Sequence, residues 1–409
     1  MYREEFEIFE LAPELIDPMM PFVYLDSAAT MQRPKQVIEK VSEYYKTLNA
    51  NPLRGLYKIS EQSTRLLNQT RTKVAEYIGA GADEVIFTKN ATEAINLVAN
   101  GVKELIGDGK ILISLDSHHS NILPFTERYG EQVLICEDVV AEYKRLMPDE
   151  TEGSDVRFVA LTGLSNVTGE EQIETVQELR KSGFNGLILL DAAQLIAHQK
   201  INLEMLDVDF LAFSGHKIGA PMGIGVLYMR RELMEKIKPL NYGGEMVEIA
   251  ENAREAANKT SDPVMVRADY AFGPQKFEGG TIDMGGVVGL LQAIKFWNKN
   301  NKDEELFAET RKLTEYAVGK LSAISDLELF YGKNGIILFN IRGVHPHDTA
   351  QILSNYGVMV RAGWHCAEPV LTKRKIGPAV RVSLMFYNTR SEINYLVSIL
   401  GKIRKEMGL

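Results

Sequence analysis

Short apolar runs that end in polar or charged residues set the strongest limit on what this chain can fold into. They stand at Glu84-Val-Ile-Phe-Thr88, Ile111-Leu-Ile-Ser-Leu115, Gln132-Val-Leu-Ile-Cys136, Arg157-Phe-Val-Ala-Leu161, Leu187-Ile-Leu-Leu190, Phe210-Leu-Ala-Phe213 and Gly223-Ile-Gly-Val-Leu-Tyr228. A run of aliphatic and aromatic residues without polar alternation reads as a strand buried on both faces, the habit of parallel sheets. Helical spacing fills several of the intervals. Val37, Ile38, Val41, Tyr44, Tyr45 and Leu48 share one face, as do Ala94, Ile95, Leu97, Val98 and Val102, and Ile173, Val176 and Leu179. This alternation predicts an α/β fold: a large domain with a mostly parallel sheet sandwiched by helices.

The pattern changes near residue 295. Lys295 to Glu305 (KFWNKNNKDEE) reads as a polar surface connection. A helix over 306–324 follows, with strands at 327–331, 335–343, 358–362 and 380–386. A last helix opens at Thr389, with Glu392 at capping-box spacing. The expected division is an N-terminal segment, 1–22, packed with the smaller unit; a large domain, 23–294; and a smaller C-terminal α+β domain, 295–409. Residues 141–156 and 246–270 are polar and poorly periodic, and read as loops or irregular helices.

Composition narrows the function classes. The 409 residues suffice for two domains and a large core. A net charge of -9 argues against a surface for nucleic acid or anionic membrane. No apolar stretch reaches the roughly 18 residues that a membrane helix needs. The opening MYREEFE carries acids where a signal peptide is basic and then apolar. Two cysteines, Cys136 and Cys366, make no disulfide framework and point to a reducing compartment. The expectation is a cytoplasmic protein with no membrane or nucleic-acid partner.

Asp191 and Lys217 each sit just past the end of an apolar run, Lys217 within Ser214-Gly-His-Lys217. The carboxyl ends of parallel strands are where open α/β sheets bind ligands. An acid and a lysine so placed are what pyridoxal phosphate requires. The lysine forms an imine with the cofactor, and the acid keeps the ring nitrogen protonated so that the ring can take up electrons. Asn90-Ala-Thr-Glu93 follows another strand and opens a helix, a phosphate site made of backbone N–H groups and the Thr92 hydroxyl. Each feature has a plainer reading: a helix cap at Asn90 or Thr92, a turn acid at Asp191, a snorkelling surface lysine at Lys217. Together, three strand ends match the ring nitrogen, imine and phosphate of one cofactor.

Other candidates follow. His118, in Ser117-His-His-Ser-Asn121, could lie flat on a bound ring or pass protons, or be hydrogen-bonded in its loop. Adjacent histidines point apart, no Cys/His spacing of the zinc type occurs, and no metal is expected. His345-Pro-His347 reads as structural. Cys366, in a loop with Arg361, Gly363 and His365, could be a nucleophile or an inert thiol; Cys136, in an apolar run, reads as inert. Arg381 is a charge inside an apolar strand. It could grip a substrate carboxylate bidentately or pair with a protein acid.

The chain resembles the cysteine desulfurases of the SUF type, within the class V aminotransferases of pyridoxal-phosphate fold type I. The likeness runs from about Tyr24 to the last helix. It is carried by YLDSAAT (24–30), NANPLRG (49–55), FTKNATEAINLVA (87–99), SHHSNILP (117–124), SNVTGE (165–170), LDAAQ (190–194), DFLAFSGHKIGAPMGIGVLY (209–228), GGEMV (243–247), FEGGTID (277–283), NYGVMVRAGWHCAEP (355–369) and RVSLMFYNT (381–389). The resemblance implies pyridoxal 5'-phosphate as cofactor, held through Lys217. Asp191 faces the ring nitrogen, Gln194 the ring phenolate oxygen, and His118 stacks on the ring. Ala91, Thr92, Ser214 and His216 bind the phosphate, and Thr281 reaches it from the other subunit of a homodimer. Asn166 lies beside ring and substrate, Arg381 grips the substrate carboxylate with Arg361 nearby, and Cys366 accepts sulfur from L-cysteine. The implied product is L-alanine, and the implied use is iron–sulfur cluster assembly through a SUF-type acceptor protein. Leu53, Tyr57 and Trp364 stand where the family often has histidines near the site entrance, which bears on the acceptor and not on the core chemistry. A selenocysteine lyase and an amino-acid epimerase share this scaffold, and a non-catalytic scaffold is the reading from outside enzymology.

Overall fold

The computed structural model of the chain describes residues 2–16, 19–147, 155–251 and 267–409. A two-residue strand, Val23–Tyr24 (β1), precedes the large sheet. That sheet has seven strands: Val85–Thr88 (β2), Lys110–Ser114 (β3), Val133–Cys136 (β4), Val156–Thr162 (β5), Leu187–Asp191 (β6), Phe210–Ser214 (β7) and Gly225–Met229 (β8). Their order is β2-β8-β7-β6-β5-β3-β4, parallel except that β8 runs antiparallel to both neighbours. β2, β7, β6, β5 and β3 therefore all end on the same edge of the sheet, and that edge carries the site.

Both faces of the strands are apolar, as unalternated runs require. Ile188, Leu190, Leu211 and Phe213 face a core that includes Val37, Leu67 and Val74 from the helices Lys35–Thr47 and Lys58–Ile78, and Val287 from Met284–Asn300. Leu189, Phe210 and Ala212 face the opposite core, filled by Ala94, Ile95 and Val98 of the helix Ala91–Gly101 and by Phe125 of His119–Tyr129. In the first of these helices Val37 and Tyr44 are buried, but Ile38 and Tyr45 remain 50% and 53% exposed.

Two stretches differ from the sequence expectation. Lys295 to Asn300 is not a surface connection but the end of the helix Met284–Asn300. Phe296 and Trp297 are buried there, and the Trp297 indole donates to the Ile218 carbonyl at 2.9 Å. Two aromatics inside a polar string gave too little periodicity to show the helix. Within 246–270, Val247–Glu251 (β9) and Arg267–Tyr270 (β10) pair antiparallel, and the residues between them lie outside the described ones. Within 141–156, the short helix Val139–Arg145 starts at an Asp138 cap, and residues 148–154 likewise lie outside.

The smaller domain is built on a four-stranded antiparallel sheet, ordered Leu327–Lys333 (β11), Ile336–Ile341 (β12), Ala379–Ser383 (β15), Arg361–Gly363 (β14). Val358–Met359 (β13) pairs in parallel with β1, and Asp26 bridges to Ser383. The last helix has the expected capping box: Glu392 N–H donates to Thr389 Oγ1 at 3.2 Å, and Thr389 N–H to Glu392 Oε2 at 2.7 Å. Near the start of the chain, Phe6 is 1% exposed, with Phe296, Phe386 and Tyr387 ring centroids 5.7, 6.0 and 4.9 Å away.

Candidate active site

At the common edge of β2, β7, β6, β5 and β3 lies a cavity of about 210 Å³. Ala91, Thr92, His118, Asn166, Asp191, Gln194, Ser214, His216 and Lys217 all line it, so the sheet brings nine sequence candidates to one place. The helix starting at Ala91 points its first turn at this cavity. Asn90 caps it, with Oδ1 accepting from Glu93 N–H at 2.9 Å, and Ser214 Oγ, at the end of β7, accepts from Ala91 N–H at 2.9 Å. Ala94 N–H is taken by Asn90 O, so among the described residues the Thr92 N–H is the first-turn donor without an acceptor. That leaves a helix start suited to an anion. Gly225 on β8 makes this approach possible, since a Cβ there would lie 2.5 Å from Asn90 Cα.

Burial shapes the titrating groups. Asp191 is enclosed at the end of β6, and burial raises its carboxyl to about 6, although Ala193 N–H donates to Oδ1 at 3.0 Å. Lys217 keeps some surface toward the cavity but is otherwise enclosed. That burial, reinforced by Arg381, lowers it to about 7. Its Nζ donates to the Ala28 carbonyl, which also accepts from Gln194 Nε2 at 2.8 Å. Burial lowers His118 and His216 to about 4 each, so both rings are neutral near pH 7. His118 Nδ1 accepts from Ser120 N–H at 3.1 Å, which fixes the ring at the mouth of its helix.

Arg361, Arg381 and Cys366 do not line this cavity; they stand beside it on the small domain. Arg381 is 3% exposed. Its Nη1 donates to Asn166 O at 3.1 Å and its Nη2 to Asp26 Oδ1 at 3.2 Å. Arg361 reaches the same acid, with Nη2 2.9 Å from Oδ2. The Cys366 loop is tied to the cavity wall at two points. Asn166 Nδ2 donates to His365 O at 2.8 Å, and His119 N–H donates to Cys366 O at 2.9 Å. His119 Nε2 also meets Glu368 Oε2 at 3.0 Å. His365 and Cys366 both have left-handed backbones, φ 53° and 54°. For non-glycine residues that conformation costs roughly 1–2 kcal/mol each, so these ties hold a strained loop in one shape. The Cys366 thiol is exposed, whereas Cys136 is partly buried and burial pushes its thiol up to about 12.

Thr281 lies elsewhere, on a groove of about 220 Å³ with Thr88, Lys89, Gly223 and Gly280. His345 caps the helix Pro346–Asn355, its Nδ1 accepting from His347 N–H at 3.3 Å. Among the described residues no cluster of three or more His, Cys, Asp or Glu is placed to hold a metal, and no helix is long and apolar enough to cross a membrane. The sequence reading gave no role to Asp26 or to the Ala28 carbonyl. The signal was present: Val23-Tyr-Leu25 is a short apolar run ending in an acid, the same cue that marked Asp191.

Comparison with known proteins gives a consistent picture. The family described as aminotransferase class-V matches residues 23–396. A probable cysteine desulfurase of Streptomyces coelicolor is 36% identical over 404 residues, covering 94% of this chain and 93% of its own. A cysteine desulfurase of Enterobacter sp. is 34% identical over 403 residues, covering 95% of each. Among solved structures, the apo cysteine desulfurase from Thermococcus onnurineus NA1 superposes with a TM-score of 0.81 at 30% identity, covering 95% of each chain. An Escherichia coli cysteine desulfurase in its S-sulfonic acid form gives 0.83 at 28% identity, covering 99% of this chain and 98% of its own.

Proposed function

Because this chain belongs to the aminotransferase class-V family and is a pyridoxal-phosphate-dependent cysteine desulfurase, we propose a division of labour among its residues and a fate for the sulfur. One observation carries it: an enclosed acid, an enclosed lysine and an open helix start meet in one cavity at the strand ends. The donor set fits the cofactor. Among the described residues, Asn166 Oδ1 is buried without a hydrogen-bond partner and Asp191 has a single N–H donor, so both still want a ligand's polar groups.

Pyridoxal phosphate supplies, when bound, a ring that stores the electron pair left on the substrate after its α-proton departs. Asp191 would hold the proton of the ring nitrogen. Gln194 would bond the phenolate oxygen, and neutral His118 would lie against the ring. Ala91, Thr92, Ser214 and His216 would cradle the phosphate, with Thr281 of a second copy completing it in a homodimer. Asn166 lines the substrate side. Lys217 would anchor the cofactor, and its Nζ, lowered to about 7 by burial, would take the α-proton of L-cysteine as general base. Arg381, with Arg361, grips the substrate carboxylate. The Cys366 thiolate then attacks the substrate sulfur. An S–S bond forms, the Cβ–S bond breaks, its electron pair stays on carbon, and protonation yields L-alanine. The persulfide passes to an acceptor protein of the SUF type, in the cytoplasm, for iron–sulfur cluster assembly.

The test is to incubate the enzyme with L-cysteine and measure alanine together with the mass of Cys366 peptides. Equimolar alanine and one added sulfur on Cys366 are expected. Alanine without sulfur on that peptide would overturn the nucleophile's identity. Asp191→Asn should load cofactor but lose activity by on the order of 10²-fold or more, since a fixed charge beside the electron sink is removed. The readout is alanine release at unchanged cofactor absorbance, and retention of most activity would discard the role.

A further inference from the structure

Asp26 stands where the N-terminal segment, the small sheet and the cysteine loop converge. It follows β1 and bridges in register to Ser383 of β15, two residues beyond Arg381. Its carboxylate is divided between two arginines. Oδ1 accepts from Arg381 Nη2 at 3.2 Å, while Arg361 uses Nη2 at 2.9 Å to Oδ2 and Nε at 3.3 and 3.2 Å to the two oxygens. Arg381 is clamped from its other end by Asn166 O. Arg361 is held although its side chain is 51% exposed.

A purely structural pair would balance its charge and satisfy its donors. This cluster does neither. Among the described residues, two guanidinium groups face one carboxylate, which leaves one positive charge uncompensated, and Nε of Arg381 is buried with no acceptor. Lys217 lies within reach of the cluster: burial lowers it most, Arg381 and Arg361 push it further down, and Asp191 and Asp26 push it up. A ligand bearing one carboxylate completes the balance.

We propose that Asp26 is the positioning residue of the substrate-carboxylate site, fixing the fork of Arg381 and pinning Arg361 beside it so that one α-carboxylate is neutralised there. This rests on the reading that Arg381 receives that carboxylate. Asp26 acts through the arginines and touches no reacting atom.

The test compares holoenzyme, Asp26→Asn and Asp26→Ala in binding L-alanine against alaninol, its carboxyl-free analogue, followed by the cofactor absorbance. The parent should prefer L-alanine at least tenfold, and Asp26→Asn should lose most of that preference. In turnover, KM for L-cysteine should rise about tenfold or more while kcat stays within about threefold. Added formate should restore the preference in Asp26→Ala by replacing the missing carboxylate. A preference intact in Asp26→Asn overturns the proposal. So does loss of kcat and KM together with no response to formate, which marks a structural role. A parent enzyme without preference overturns the reading of Arg381 instead, and the Asp26 role with it. Asn is isosteric with Asp, and retained cofactor absorbance certifies that the variant is folded.

Discussion

Lys217→Ala will abolish cysteine desulfuration, with a loss on the order of 10³-fold or more, and the protein will lose the absorption of covalently held cofactor. Both results follow from the two tasks proposed for this one amine. The first is to anchor the cofactor, and the second, general-base work, contributes about 10²–10⁴-fold by itself. The lysine is prepared for both by its surroundings: burial, with Arg381 reinforcing it, lowers it from 10.5 to about 7. The sign of the pH effect follows. The free amine is the reactive form, and it becomes the major form as pH rises through about 7. Uptake of pyridoxal phosphate by protein stripped of cofactor, trapped by borohydride, should therefore climb through neutrality and then level off. A lysine with the ordinary value of 10.5 would still be climbing far above that point. A rate that rises without levelling would show that the pocket does not tune this amine. Alanine release by Lys217→Ala at a tenth of the parent rate would remove the general-base assignment.

Cys366→Ala will bind L-cysteine with the parent's spectral change, yet acceptor-dependent alanine formation will fall on the order of 10²-fold or more, as expected when a covalent route loses its nucleophile. The two measurements separate binding from transfer. Alanine is a fair probe because the loop should keep its shape. The ties run from Asn166 Nδ2 to His365 O and from His119 N–H to Cys366 O, backbone acceptors that no side-chain change removes. Residue 366 is left-handed, and a β-branched replacement would meet far more strain there than alanine does. Normal acceptor-dependent turnover by Cys366→Ala would end the role of this thiol.

Much of this site was legible because the strand ends were. Leu187 to Leu190 and Phe210 to Phe213 advertise strands by lacking polar residues, so the groups that follow them, Asp191 and Lys217, are delivered to one edge by topology alone. Asn90 shows the limit of such cues. The plainer reading, a helix cap, holds, since Asn90 Oδ1 accepts from Glu93 N–H; among the described residues the Thr92 N–H is left without an acceptor, which keeps the proposed phosphate role open. What the sequence did not disclose depends on contacts across long separations. Nothing local to Asp26 indicates that it meets arginines 335 and 355 residues away. The polar string at Lys295 hid a helix end whose Trp297 braces Ile218 beside the lysine. The β9–β10 pair is not local in sequence either: its two short runs, VEIAE and RADY, pair across a 15-residue interval.

The interlock of the two chain ends also has a consequence for how the protein is made. Asp26, Ser27 and Ala28 emerge early, and the cavity-lining residues through Lys217 follow. Arg361, Cys366 and Arg381 come last, with Tyr387 and Asn388 closing the joint: Tyr387 Oη lies 2.7 Å from Ser27 Oγ, and Asn388 Nδ2 donates to Tyr24 O at 2.9 Å. On the ribosome, the groups proposed to hold the cofactor, from Ala91 to Thr281, are therefore all made before the two arginines proposed to grip the substrate carboxylate and the cysteine proposed to carry sulfur. A chain grown through Thr281 carries every group proposed for pyridoxal phosphate but not yet Cys366. On that proposal, sulfur chemistry becomes available only when the last strand has been added and Asp26, its partner from early in the chain, is already waiting.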